Sequence, residues 1–215
     1  MSTLPQSLAR LAAGARVVRA EEISRFLPPE TGGRPAAVLM LFADGPDGPD
    51  VLLIERAATL RSHAGQPAFP GGAIDPGDDG PVGAALREAQ EEVGIDPASV
   101  EIVAELPELF IPVTGFVVTP VLAWWREPHP VHPVDVQEVA AVVRVPIAEL
   151  ADPASRQRVR HPSGWVGPAF NVRGMLVWGF TAGLLDRLLK LGGWEQPWTP
   201  GRVNELPQPA KDNGV

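Results

Sequence analysis

The chain has 215 residues, 45% hydrophobic and 20% charged, enough for one domain with its own core. It contains no cysteine, which excludes thiol nucleophiles, Cys-bound zinc, iron–sulfur clusters and a disulfide framework. Eighteen basic residues against 26 acidic ones give a net charge of −8, the wrong sign for a non-specific nucleic-acid binder.

Residues 1–20 carry Arg10, Arg16 and Arg19 and no acid, a composition similar to an organellar transit peptide. Leu8, Leu11, Ala12 and Ala15 fall on one helical face, however, and predict an amphipathic helix. No secretory signal pattern is present and no apolar run is long enough to cross a membrane, so the expected compartment is the cytoplasm. Glu21–Leu27 is expected to form a short helix stopped by Pro28-Pro29. Pro35–Ala43 is a near-continuous apolar run and predicts a buried strand. Turn chemistry at residues 44–49 leads to a second strand, Val51–Glu55, its hairpin partner. Pro67–Gly72 is a short extended piece ending in a sharp turn.

Pro81–Val93 is the most helical central stretch. Asp79 or Gly80 caps its start and Gly94 its end. Val82, Ala85, Leu86, Ala89 and Val93 make its apolar stripe. Strands are expected at Glu101–Leu106, Phe110–Phe116, Val118–Arg126 and Val139–Val145, with a short helix at Pro146–Ala151 and a further strand at Arg156–Arg160. Trp124, Trp125 and Trp178 read as core residues. Thr181–Leu191 predicts a late helix that buries Leu184, Leu185, Leu188 and Leu189. The domain is expected to span 1–193, and 194–215 to form a dispensable Pro/Gly-rich tail.

Charge is concentrated in one place. Residues 73–96 hold seven acids and a single base, Arg87. Glu88, Glu91 and Glu92 lie three and four residues apart, so they crowd one helical face and repel one another. A solvated acidic face would tolerate this. A site for hard divalent cations, which take oxygen ligands, would use it. Arg87 stands four residues before Glu91 and can hold it. The Gly-rich turn Pro70-Gly71-Gly72 just upstream lets backbone come close to a ligand.

Gly72 through Ile95, GAIDPGDDGPVGAALREAQEEVGI, resembles the Nudix box. Arg87-Glu88-Ala89-Gln90-Glu91-Glu92-Val93-Gly94-Ile95 matches the second half of that motif throughout. The first half departs twice: Asp78 stands where the common pattern has Glu, and one extra residue separates Asp78 from Arg87. Both departures resemble the coenzyme A pyrophosphatase branch. So does Leu52 through Gly72, with its Leu pair, Arg56, Arg61, Gly65 and Phe69-Pro70-Gly71-Gly72, although Ile54 replaces the usual Thr.

The resemblance implies an α/β fold, the Nudix α/β/α sandwich with a mixed sheet and the box as strand–loop–helix. It implies Mg²⁺ or Mn²⁺ bound by Glu88, Glu91 and Glu92, with Arg87 orienting Glu91. The general base would come from the box or from a later loop, where Glu138 is the candidate. The implied reaction is hydrolysis of coenzyme A or a derivative to 3′,5′-ADP and 4′-phosphopantetheine. Arg56, Arg61 and His63 are then candidates for gripping phosphate, the 3′-phosphate above all, although either arginine could equally be a structural ion-pair partner. Phe69, Gly71 and Gly72 complete the substrate-contacting candidates, although Phe69 reads equally as a core residue. Two rival readings are a pyrophosphatase for another nucleoside diphosphate derivative such as ADP-ribose, and a non-catalytic ligand-sensing Nudix module. No nucleic-acid or membrane partner is expected, and the chain would act as a monomer or homodimer.

Overall fold

The computed structural model describes residues 4–58, 65–161 and 164–206. In chain order its elements are α1 (Gln6–Ala15), α2 (Ala20–Ile23), β1 (Arg34–Gly45), β2 (Gly48–Arg56), β3 (Pro67–Ala68) and β4 (Gly71–Ala73). Then come α3 (Gly80–Val93), β5 (Val100–Glu105), β6 (Leu109–Ile111), β7 (Phe116–Trp125), β8 (Val139–Pro146) and α4 (Ile147–Ala151). The last are β9 (Arg156–Arg160), β10 (Val166–Val172), β11 (Met175–Val177), α5 (Gly179–Gly192) and β12 (Val203–Glu205).

The main sheet runs β3-β2-β1-β7-β5, with β4 on β1, β6 on β7 and β8 on β2. It is mixed: β1 is parallel to β7 and antiparallel to β2 and β4. β1 is apolar on both faces because both are covered. Leu39 and Leu41 join the core under α3, while Met40 and Phe42 join the core on the opposite face. α3 lies close on the sheet because Ala84, Ala85 and Ala89 are its buried contacts. The opposite face carries α1, α5 and a second sheet of order β11-β10-β9-β12. α1 buries Leu8, Leu11, Ala12 and Ala15, the stripe read from the sequence.

Two local readings change, and one hairpin was not foreseen. The helix after Ala20 stops at Ile23, because the Ser24 hydroxyl accepts the Phe26 N–H and turns the backbone. The expected strand Phe110–Phe116 is two strands, split by a turn at Thr114-Gly115 where Gly115 takes φ 71°. β10 and β11 form a hairpin through Arg173-Gly174, both at positive φ, a turn without the usual Asn or Asp signal.

The segment after Gly193 is docked as far as it is described. Trp194 stacks on Phe42 at 6.1 Å between ring centroids. β12 lies parallel to β9. Arg156 has a side chain only 1% exposed; it pairs with Asp186 and with Glu195 at 3.3 Å, and lies 4.8 Å from the Trp198 ring. The sequence hid this because the contacts are made by isolated tryptophans and one acid, with no periodic pattern. Removing one partner of a buried ion pair costs a few kcal/mol. A chain stopped after Gly193 is therefore expected to melt roughly 5–10 °C below the full chain in calorimetry. A shift within the scatter of the measurement would return the segment to the status of a dispensable tail.

Candidate active site

The site forms where β4 and the start of β1 meet the middle of α3. Gly71 pairs with Val38 and Gly72 with Ala37. A side chain at Gly71 would meet the Ala37 carbonyl at 2.3 Å, and its φ of 154° suits glycine. A Cβ at Gly72 would lie 2.4 Å from a Glu88 carboxylate oxygen. The two glycines thus bring bare backbone up to the acidic helix.

Arg87 organises that helix. Its Nε donates to Asp78 Oδ1 at 2.9 Å and its Nη2 to Asp78 Oδ2 and the Ala73 carbonyl, both at 3.1 Å. Its Nη1 donates to Glu88 Oε1 at 2.9 Å and to Glu91 Oε2 at 3.0 Å. The fork ties the loop before α3 to three carboxylates at once. These bonds hold the Asp78 carboxyl below its ordinary range and push the guanidinium pKa upward. Asp78, a departure from the common motif, is the bidentate anchor of Arg87.

The three glutamates are unequal. Glu92 belongs to the buried stripe of α3 at 2% exposure, whereas the Glu91 side chain is 60% exposed. Glu92 Oε2 accepts the Gly71 N–H at 3.1 Å, and its Oε1 lies 3.9 Å from Arg56 Nη1. Burial drives the Glu92 pKa up to about 8, against the opposing pull of the Gly71 N–H and Arg56. Burial also raises Glu88, with Arg87 opposing. The charge of Glu138, an exposed residue just before β8, adds a smaller upward push to both. Its carbonyl accepts the Ala57 N–H at 2.8 Å, fixing it to the end of β2.

Among the described residues no three acids or histidines converge into a ready-made metal cage. Arg87 Nη1 already occupies one oxygen each of Glu88 and Glu91. The donor set nevertheless fits a hard divalent cation: two carboxylates one helical turn apart, both pushed toward the protonated form by burial, each have a single guanidinium nearby, Arg87 for Glu88 and Arg56 for Glu92.

The structure brings Arg87, Glu88, Glu92, Gly71, Gly72, Arg56 and Glu138 to one end of the sheet, with Glu91 on the solvent side. Arg61 and His63 lie outside the described residues. Phe69 is corrected: it is 3% exposed and packs in the core opposite α3, so it supports the Gly71 turn from beneath and does not face a substrate. Arg56 stands at the carboxylates, its Nη1 3.9 Å from Glu92 Oε1.

The NUDIX domain model matches residues 33–166. The chain is 44% identical over 166 residues to a Cronobacter sakazakii protein named "Uncharacterized Nudix hydrolase NudL", covering 74% of this chain and 83% of that protein. It is 42% identical over 185 residues to the protein of that name from Citrobacter koseri, covering 79% and 93%. Its fold is similar to the crystal structure of RenU, a Nudix hydrolase from M. smegmatis, with a TM-score of 0.55 and 23% identity over 79% of this chain and 94% of that one. The chain belongs to the Nudix hydrolase family, whose members generally use divalent cations such as Mg²⁺ or Mn²⁺. No helix among the described residues is long and apolar enough to cross a membrane.

The buried carboxyl makes a pH prediction. Glu92 has a folded pKa of about 8, above its ordinary value of 4.5, so the folded state holds a proton that the unfolded chain releases between those values. That contribution to stability is complete below about pH 4.5 and is lost as pH rises through about 8. In chelator, the wild-type melting temperature is expected to fall across this window relative to Glu92→Gln, which keeps a neutral side chain throughout. Parallel curves for the two proteins would show that Glu92 titrates normally.

Proposed function

We propose that this Nudix hydrolase cleaves the pyrophosphate bond of coenzyme A or its derivatives, giving 3′,5′-ADP and 4′-phosphopantetheine with Mg²⁺ or Mn²⁺. The observation that carries the reading is the contact between its two motifs: Arg56, from the segment resembling the coenzyme A branch, faces Glu92 of the box at 3.9 Å.

Glu88 and Glu92 would hold the cation, with Glu91 joining from the solvent side. A bound divalent cation supplies charge neutralisation at the diphosphate and lowers the pKa of water. The chain's own residues do the rest. Arg87 holds Glu88 and Glu91 in place. The backbone at Gly71 and Gly72 lets a diphosphate approach where any side chain would block it. Arg56 would offer its guanidinium to a phosphate oxygen of the diphosphate. Glu138 is the assigned general base. Its carboxylate takes a proton from the attacking water as a new P–O bond forms and the bridging P–O bond breaks; the leaving phosphate carries the displaced electron pair. The full set of glutamates with the Arg87 clamp favours an enzyme over a ligand sensor, which would need none of the three.

The test is product analysis by mass after incubating the protein and Mg²⁺ with coenzyme A, dephospho-coenzyme A, ADP-ribose or NADH. The expected products are 3′,5′-ADP and 4′-phosphopantetheine from coenzyme A. Faster turnover of ADP-ribose would reassign the substrate. Glu92→Gln is expected to keep the fold and lose about a hundredfold or more in kcat/KM, roughly 3 kcal/mol. Near-normal activity in that variant would remove Glu92 from the cation site.

A further inference from the structure

Arg56 contacts Glu92, and a nucleoside bearing a second phosphate calls for a place with cations and rings of its own. The face of the main sheet opposite α3 offers one. Arg34 opens β1 four residues before Val38, the partner of Gly71, so it stands about 13 Å along the strand from that turn. Its guanidinium lies 4.1 Å from the Phe116 ring centroid and donates from Nη2 to the Thr114 carbonyl at 2.8 Å. Arg34 is opposite Phe116 in the register, and the even-numbered residues Met40 and Phe42 of β1 face the core away from α3. Arg34 and Phe116 therefore project to that face.

Arg25 forms a second ring–guanidinium group. Its guanidinium lies 4.7 Å from the Phe26 ring and 5.6 Å from the Trp165 ring. The Phe26 carbonyl accepts the Phe110 N–H, which ties this segment to β6 beside Phe116. Two ring–guanidinium groups, Arg25 with Phe26 and Trp165 and Arg34 with Phe116, are thus joined through the backbone of β6. Phe26 at 37% and Leu27 at 41% are unusually exposed for large apolar side chains. Neither Arg25 nor Arg34 has a carboxylate partner among the described residues, in a chain with a net charge of −8. A guanidinium held on a ring without a carboxylate partner is suited to a phosphate dianion, and the ring faces to a planar base.

We propose that these two groups together bind a purine nucleoside carrying a phosphate monoester on its ribose, with Arg25 and Arg34 on the phosphate and Phe26 and Trp165 against the base. The proposal rests on the coenzyme A reading for its ligand. It assigns recognition of the second phosphate to residues outside both motifs.

The test measures binding of adenosine 3′,5′-bisphosphate and of adenosine 5′-monophosphate by calorimetry, independent of turnover. Wild type is expected to prefer the bisphosphate. Arg25→Ala and Arg34→Ala should each weaken the bisphosphate by about tenfold or more and the monophosphate by less than about twofold. Trp165→Leu should weaken both. Arg34→Lys keeps the charge and is expected to restore most of the bisphosphate affinity, which a merely structural role at the Thr114 turn would not require. Equal losses on the two ligands, unchanged affinities, or no wild-type preference would each overturn the proposal. A 3′-phosphorylated oligoribonucleotide that binds more tightly than the bisphosphate would overturn it too, by making the ligand an RNA end. Coenzyme A hydrolysis is assayed alongside. If wild type cleaves coenzyme A while the variants bind like wild type, this assignment fails and the activity stands. If wild type does not cleave coenzyme A, the activity fails and the binding ratios alone decide the assignment.

Discussion

The Arg87 guanidinium is the interaction on which the site depends. Three glutamates and Asp78 within fifteen residues would repel one another if left in water-like surroundings, and one of them is buried. A single fork gives Asp78 two bonds, Glu88 one and Glu91 one, and still reaches the Ala73 carbonyl. It therefore fixes the loop before α3, the helix and the end of β4 relative to each other. A lysine at this position would supply a point charge without the planar geometry that makes the bidentate bond to Asp78.

Glu92 sits outside that arrangement, and this divides the labour on the helix. Arg87 offers it nothing; its partners are the Gly71 amide and the more distant Arg56. A carboxyl that is 2% exposed with so little compensation keeps its proton near neutrality. The stripe that would ordinarily be apolar therefore carries one group whose charge is unfavourable in its surroundings. On the proposed reading, fold stability and cation affinity would draw on this same residue with opposite preferences, as at a functional position inside a well-packed element.

How much of this was legible in the sequence follows from the range of the interactions. The box helix, its Gly94 cap and the acid cluster depend on neighbours three or four residues apart, so spacing revealed them. α1 and β1 were legible for the same reason, because burial on one face or both leaves a periodic or continuous pattern. Asp78 looked like a deviation because its partner stands nine residues away, with a loop and most of two helical turns between. Phe69 looked like a substrate contact because the motif is read along the chain, whereas burial is decided by the core below it. The β10–β11 hairpin escaped because Pro168 interrupts an otherwise strand-like run and Arg173 is an uncommon residue at positive φ. The place of Glu138 near the carboxylates was not legible by spacing, since it is made by sheet pairing between β2 and β8, where Arg56 lies opposite Val139.

The second sheet explains why the chain continues past the part that matches the family. The matched region ends at residue 166, where β10 begins. Yet β11 packs against β3, the two-residue strand that leads through Phe69 and Pro70 into Gly71. Phe69 is buried among the same side chains as Phe170, Val172, Met175 and Val177. The position of the Gly71 amide, and with it the bond to Glu92, is thus set from below by a hairpin that the box does not contain. That hairpin is held in turn by β9, whose Arg156 is locked by Asp186 on α5 and Glu195 beyond it. A continuous set of packed strands and one buried ion pair therefore connects the C-terminal segment to the carboxylates. The support of a turn that brings bare backbone up to the acidic helix comes from outside the motif that defines the family.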